Sequence, residues 1–155
     1  MATPSKDLIH ALRNAATAIE NGSYYAWGHH GACNCGHVLQ AATKLSKEEI
    51  RKYATTGIGE WTEIAQGECD LTGLPVEMLL VKLREMGLNS NDIHHLEYLS
   101  DRDVLQFLPT GFRWLERNKR EDVILYFRAM SNMLEEQMLR NELVHTSIPS
   151  LLIQA

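Results

Sequence analysis

Apolar residues recur along the chain at the three- and four-residue intervals of amphipathic α-helices, and no stretch forms a convincing β-hairpin pattern. The first apolar stripe follows Ser5, whose hydroxyl suits a helix N-terminus, and it stops at residues 21–22, Asn-Gly. The longest stripe lies near residues 119–143 and predicts one long C-terminal helix. The pattern therefore predicts an all-α fold, a single-domain irregular bundle of six to eight helices.

Shorter helices are predicted between these two, bounded by recognisable start and stop signals. Ser46 and Glu49 have the spacing of a capping box, and Pro75 suits the first turn of a helix. Gly87 and Pro109 each mark the end of another helix. The predicted shorter helices lie near residues 38–45, 46–54, 61–65, 75–86, 90–99 and 100–108.

The end of the chain is apolar from Ile148 to Ile153. Pro149 within this stretch predicts that it does not continue the helix before it. An exposed apolar tail is an aggregation liability, so we expect residues 145–155 to pack on their own domain or on a second copy, as a homodimer. No internal repeat or linker divides residues 1–155, which predicts one domain.

Composition and charge indicate a globular protein of ordinary kind. The 155 residues suffice to bury a core, and 45% hydrophobic with 23% charged residues is typical of soluble domains. The net charge of −5 argues against a surface built mainly for nucleic acid, and no apolar run is long enough to span a membrane. Without a secretory signal and with only three cysteines, we expect a cytoplasmic protein whose thiols are reduced or metal-bound.

The candidate chemistry is concentrated in residues 27–37, Trp-Gly-His-His-Gly-Ala-Cys-Asn-Cys-Gly-His. This window holds three of the seven histidines and two of the three cysteines, and its glycines permit unusual backbone turns. Thiolates and imidazoles together are ligands that zinc prefers. We therefore predict a metal-binding protein that holds one transition-metal ion, zinc before others. The predicted ligands are Cys33, Cys35 and His37, completed by Cys69 or His29.

The fourth ligand decides whether such a site is structural or catalytic. Cys69, in a second glycine-containing loop, would close the ligand shell and tie two loops together, and His30 is an alternative to His29. A water in the fourth position would leave an open Lewis-acid site, with His95 or Glu63 as its base. We favour the closed site, because each loop otherwise lacks anything to fix it.

The same loop also suits thiol catalysis, a second class of function. If Asn34 caps the following helix, Cys35 occupies the first helical position, where the helix dipole favours the thiolate. His37 or His95 would then serve as the base. The local pattern faintly resembles papain-like proteases, but Gly36 stands where that family has an aromatic residue.

A third class is an interaction module, indicated by residues 79–99. This stretch resembles a helix-turn-helix, with Gly87 in the turn. Its second helix would carry Asp92 and Glu97 but no lysine or arginine, which argues against nucleic acid as the partner. The clearest basic cluster, Arg113 to Arg120, lies on a separate segment.

Residues 28–37, with the element Gly-x-Cys-Asn-Cys-Gly-His, resemble a stretch carried by a group of small uncharacterised bacterial proteins. A weaker similarity to the same group continues from Cys69 to Pro75. The resemblance implies a bacterial cytoplasmic protein and implies no particular activity.

Overall fold

The structure, a computed structural model, describes residues 1–54, 61 and 75–154, with side chains up to residue 145 apart from that of Pro75. These residues form seven α-helices and no strand, which confirms the predicted all-α fold and the long C-terminal helix. The helices are α1 (Lys6–Glu20), α2 (Asn34–Thr43), α3 (Lys47–Ala54), α4 (Pro75–Glu85), α5 (Ser90–Tyr98), α6 (Arg102–Gln106) and α7 (Arg120–Gln154). The helix predicted near 61–65 lies, beyond Trp61 itself, outside the described residues. Across the described parts of the chain, no helix is both long and apolar enough to cross a membrane.

Helix α1 packs along α7, and this pair carries much of the core. The Ser5 hydroxyl accepts a hydrogen bond from the backbone N–H of Leu8 at 3.1 Å, so α1 begins at the predicted cap. The same hydroxyl donates to the backbone carbonyl of Met86 at 2.6 Å, which fixes the start of α1 against the end of α4. Fully buried side chains on the two helices are Leu8, Leu12, Ala16 and Ile19 from α1 and Val123, Phe127 and Leu134 from α7. Burying each large apolar side chain contributes roughly 1.5–3 kcal/mol.

Helices α2 and α5 meet at the loop that the sequence singled out. α2 packs on α1, α3 and α5, so its N-terminus lies inside the bundle. α5 begins with a capping box in which Asn89 Oδ1 accepts from Asp92 N, and Asp92 Oδ2 accepts from Asn89 N, each at 2.9 Å. It ends at Leu99, which adopts a left-handed backbone conformation (φ 52°). The C-terminal turn of α5 therefore faces the N-terminal turn of α2.

Helix α7 differs from its prediction at the far end. It runs for 35 residues, about 50 Å, and continues through Pro149 to Gln154, so the predicted break at this proline is wrong. Proline removes one backbone hydrogen bond and disfavours a helix by about 3 kcal/mol, but the intact bonds on either side can carry the helix across it.

The side chains of α7 change from buried to exposed along its length. Within its part up to His145, where side chains are described, the last fully buried residue is Leu134 and all seven residues from Leu139 to His145 are exposed; we call these seven the outer segment of α7. Three large apolar side chains lie there, Leu139, Leu143 and Val144, each more than half exposed.

Candidate functional site

The histidine- and cysteine-containing loop folds into tight turns before α2. Ala26 N donates to Ala32 O at 3.1 Å, and Cys33 N donates to His29 O at 2.8 Å. A Cβ atom on Gly31 would lie 1.8 Å from the backbone oxygen of Lys47, and one on Gly36 would lie 2.5 Å from that of His30. These two glycines are required because backbone packs directly against backbone. Gly28, in the same loop, has open space where a Cβ would stand.

Cys33, rather than Asn34, caps α2. Its Sγ accepts a hydrogen bond from Gly36 N at 3.4 Å and lies 3.3 Å from the carboxylate Oε1 of Glu97, to which the thiol donates. The same Glu97 oxygen accepts from the backbone N–H of Cys35 at 2.7 Å. The Glu97 side chain therefore lies at the N-terminus of α2, where the helix dipole and free N–H groups favour a negative charge.

A small cavity adjoins this pair of groups. It has a volume of about 50 Å³ and is lined by Trp27, Gly28, His30, Cys33, Trp61 and Glu97. Both indoles are held by hydrogen bonds: Trp27 Nε1 donates to Glu97 O at 3.2 Å, and Trp61 Nε1 donates to His30 O at 3.1 Å. A cavity of this size has room for about three water molecules. Gly28 lies at the surface, so the cavity reaches solvent beside it.

Burial controls the protonation of these groups. Cys33 and Glu97 are 1% and 5% exposed, and burial raises the pKa of the Glu97 carboxyl. Burial, and next the nearby Glu97 charge, raise the pKa of the Cys33 thiol well above its ordinary value. The same two causes raise the pKa of Cys35. Both cysteines are therefore thiols at neutral pH.

Asn34 ties the start of α2 to the end of α5. Its side chain is fully buried, and its Nδ2 donates to Glu97 O at 2.7 Å and to Leu96 O at 3.3 Å. Its Oδ1 accepts from the Tyr25 hydroxyl at 2.6 Å. Carbonyls in the last turn of a helix have no partner within the helix, so this amide supplies the missing donors to α5.

The histidines of the loop already have protein partners. His37 Nε2 lies 2.8 Å from the backbone oxygen of Tyr24, and because a carbonyl only accepts, this nitrogen carries the hydrogen. Burial lowers the pKa of His37. His29 Nδ1 accepts a hydrogen bond from Gly31 N at 3.1 Å. Both rings therefore help to hold the loop together.

The prediction of a metal-binding function is wrong for the part of the chain that the structure describes. Among these residues, no three histidine, cysteine, aspartate or glutamate side chains converge to hold a metal ion. Cys35 lies two residues from each of the other two and points to a different side of the helix, and Cys33 and His37 are each engaged with a different partner. Cys33 contacts Glu97, the Cys35 Sγ lies 3.9 Å from Ile93 O, and His37 bonds Tyr24. The further predicted ligand Cys69 lies outside the described residues.

The position of Cys35 does not support its predicted role as an activated nucleophile. Its side chain is fully buried and, unlike that of Cys33, does not line the cavity. His95, the predicted base, has its Nδ1 2.8 Å from Ser100 Oγ and is likewise absent from the cavity lining. Glu63, the other predicted base, lies outside the described residues.

Glu97 was missed as a site residue by sequence reasoning. Ile93, Leu96 and Glu97 stand at the i, i+3 and i+4 positions that share one helix face, and the structure buries all three. A carboxylate on an apolar helix face needs a buried partner. That spacing is the signal by which Glu97 could have been found.

The basic cluster near α7 is engaged within the protein. Arg113 pairs with buried Asp122 at 3.2 Å, and Arg120 donates to the backbone oxygens of Ser23 and Ile19. The Arg117 guanidinium lies over the rings of Trp27 and Tyr98, 4.3 and 4.6 Å from their centroids. The expectation about nucleic acid stays a prediction.

Replacing Glu97 with glutamine is expected to stabilise the protein increasingly as the pH rises above 4.5. Burial raises the folded-state pKa of Glu97 above 4.5, so the folded chain holds this proton more tightly than the unfolded chain. The contribution of Glu97 is therefore most favourable below pH 4.5 and declines as the pH rises through the folded-state pKa. Glutamine keeps the acceptor for Cys35 N without a charge. Urea denaturation of both proteins at several pH values gives the difference between their free energies of unfolding. A difference that does not grow with pH would contradict this assignment.

No known protein family, curated protein or solved structure matches the chain. The site therefore has to be interpreted from its own geometry.

Proposed function

We propose that the protein is a helical interaction module that associates with a second copy through the outer segment of α7. The observation that carries this proposal is the run of seven exposed residues, Leu139 to His145, with three large apolar side chains among them. Helices in proteins owe most of their stability to packing of an apolar face. An exposed helix that keeps such a face is typical of an interaction surface.

A symmetric antiparallel pair of α7 helices fits this surface. Centred at the level of Asn141, it places Leu139 opposite Leu143 of the second copy. Apolar residues then meet apolar residues. Two-fold symmetry with a self-complementary face is the commonest arrangement of soluble oligomers.

A groove beside the outer segment supports the same arrangement. It lies between α1 and α7, has a volume of about 360 Å³, and includes Ile9, Met138 and Leu139 in its lining. In the antiparallel pair, the chain that follows Asn141 in the second copy runs alongside this groove. That stretch contains Val144, Ile148, Leu151 and Leu152. The apolar tail expected to pack on a second copy thus has a surface to cover.

The exposed aromatic residues before α7 are less suited to self-association. Trp114 already packs edge-on against Phe112, with ring centroids 5.2 Å apart, and Arg102 lies over its ring at 5.6 Å. Two copies meeting there would bring their Arg102 guanidinium groups together, because Arg102 lies over the Trp114 ring. We therefore place the interface on α7.

The cytoplasmic location predicted from the sequence is part of this proposal. Cys33 and Cys35 are both free thiols, which fits a reducing compartment.

Leu143→Glu is expected to convert the pair to single chains, or to weaken it at least about tenfold. The substitution would place a carboxylate in the apolar centre of the interface of each copy. Met78→Glu is the matched control, since Met78 is 65% exposed and Leu143 67%, both on helices. Sedimentation velocity of the two variants and the parent measures the effect. A Leu143→Glu protein that associates like the parent, or a Met78→Glu protein that dissociates equally, would overturn the assignment to α7.

A further inference from the structure

The cluster of Cys33, Glu97 and the adjoining cavity has no part in the proposed association, and its geometry is that of a reactive site. Cys33 Sγ lies 3.3 Å from Glu97 Oε1, and both residues line a cavity of about 50 Å³ that reaches the surface beside Gly28. Cys35 contacts Glu97 through its backbone N–H and does not line the cavity. Of the two cysteines that the structure describes, Cys33 is therefore the one that can meet a molecule that enters.

We propose that Cys33 is an oxidation site for hydrogen peroxide, with Glu97 as the base that takes the thiol proton. The cavity sets the class of substrate: room for about three water molecules admits hydrogen peroxide but not an organic hydroperoxide with a bulky alkyl group. The two indole rings of Trp27 and Trp61 wall the cavity, and the hydrogen bonds that hold them keep it narrow.

The reaction step balances with the groups in place. Glu97 takes the proton from the Cys33 thiol, and the sulfur attacks one peroxide oxygen while the O–O bond breaks. The leaving hydroxide takes the proton from Glu97 and departs as water. Cys33 becomes a sulfenic acid, oxidised by two electrons, and the peroxide is reduced by two. Glu97 returns to its starting state.

Two features of the surroundings partly offset the burial and the Glu97 charge that disfavour the Cys33 thiolate, and a third stabilises the product. Gly36 N donates to Cys33 Sγ at 3.4 Å, and the N-terminus of α2 places the partial positive charge of the helix dipole there. The sulfenic hydroxyl formed on Cys33 can donate to the Glu97 carboxylate in the place of the original thiol. A buried thiol with no base beside it would lack the first of these steps.

The test treats the parent chain with hydrogen peroxide in the presence of dimedone, which traps sulfenic acids. Trypsin releases residues 14–44 as one peptide that holds both thiols, so fragment ions in the mass spectrum assign the label to one cysteine. We expect labelling of Cys33, retained in Cys35→Ser and lost in Cys33→Ser. Label on Cys35 instead of Cys33, or no label on either, overturns the proposal.

The Glu97→Gln variant shows whether Glu97 acts as a base or only as a negative charge near the sulfur. If Glu97 takes the proton, the variant should be labelled at least about tenfold more slowly, because a general base contributes about a hundredfold or more to such steps. If the carboxylate only disfavours the neighbouring thiolate, removing its charge should make Cys33 react faster. An equal or faster rate in a folded Glu97→Gln protein therefore refutes the assigned role.

A second measurement on the unmodified chain does not depend on any variant folding. The rates of Cys33 labelling with hydrogen peroxide and with tert-butyl hydroperoxide are each divided by the rate for free cysteine. We expect a selectivity of at least about tenfold for hydrogen peroxide, since the cavity excludes the alkyl group. Equal normalised rates would show that oxidation does not occur in this cavity and would overturn the proposal.

Discussion

Gly31→Ala is expected to destabilise the protein by at least about 3 kcal/mol, because it forces backbone apart from backbone. The new Cβ would lie 1.8 Å from the carbonyl oxygen of Lys47 and 2.8 Å from its Cα. Neither atom belongs to a side chain that can rotate away. The loop must move off the start of α3 to make room, and the hydrogen bond from Gln40 Nε2 to Gly31 O, 2.5 Å long, would be disturbed with it.

Gly28→Ala provides the control, since a Cβ at Gly28 meets nothing within 4 Å. The Gly28→Ala substitution should change the free energy of unfolding by no more than about 0.5 kcal/mol. The midpoints and slopes of urea denaturation, followed by far-ultraviolet circular dichroism, give both values. Similar losses for the two variants would mean that the loop does not pack on α3 as described.

Asn34→Ala is expected to lower the free energy of unfolding by about 2–3 kcal/mol, since it removes hydrogen bonds from buried polar groups. The Leu96 carbonyl in the last turn of α5 would lose its donor, and the Tyr25 hydroxyl would lose Asn34 Oδ1 and keep the backbone oxygen of Arg117 as its acceptor. Asn132→Ala is a suitable control. The Asn132 amide is exposed and accepts only from Arg13 at 3.1 Å, so this variant should change stability by less than about 0.5 kcal/mol.

The same denaturation experiment distinguishes the two asparagines. Both substitutions replace asparagine with a better helix former, so the difference between them reports the buried contacts and not helix propensity. A loss at Asn34 no greater than that at Asn132 would contradict the role of Asn34 as the tie between α2 and α5.

The fold was largely predictable because its signals are local. The cap at Ser5, the capping box at Asn89 and the apolar stripe of α7 act within a few residues of the chain, and the structure places helices where these signals predict them. The continuation of α7 through Pro149 was not predictable from the general rule for proline, because its cost competes with the intact hydrogen bonds on both sides.

The site was harder to predict because its partners are distant in sequence. The sequence drew attention to Cys33 and Cys35 as metal ligands, but both residues contact Glu97, more than 60 residues further along. Sequence proximity suggested that Cys33, Cys35 and His37 bind one metal ion, whereas in the structure each of them contacts a different group. The glycines of the loop, taken as freedom to wrap a metal, instead allow close packing on α3 and within the loop itself.

The interaction surface proposed for α7 could also not be predicted from local sequence patterns alone. The sequence marks the tail as apolar and predicts that something covers it. The groove beside Met138 that suits a second copy depends on how α1 packs on α7, which only the three-dimensional arrangement provides.

Sedimentation equilibrium of the unmodified chain tests the central claim most directly. One chain has a mass of 17.6 kDa. The proposed pairing through α7 predicts a mass that rises with concentration to twice this value and stays there, as a closed two-fold pair requires. A mass of one chain at every concentration up to the highest soluble one, or a mass that grows without limit, would contradict it.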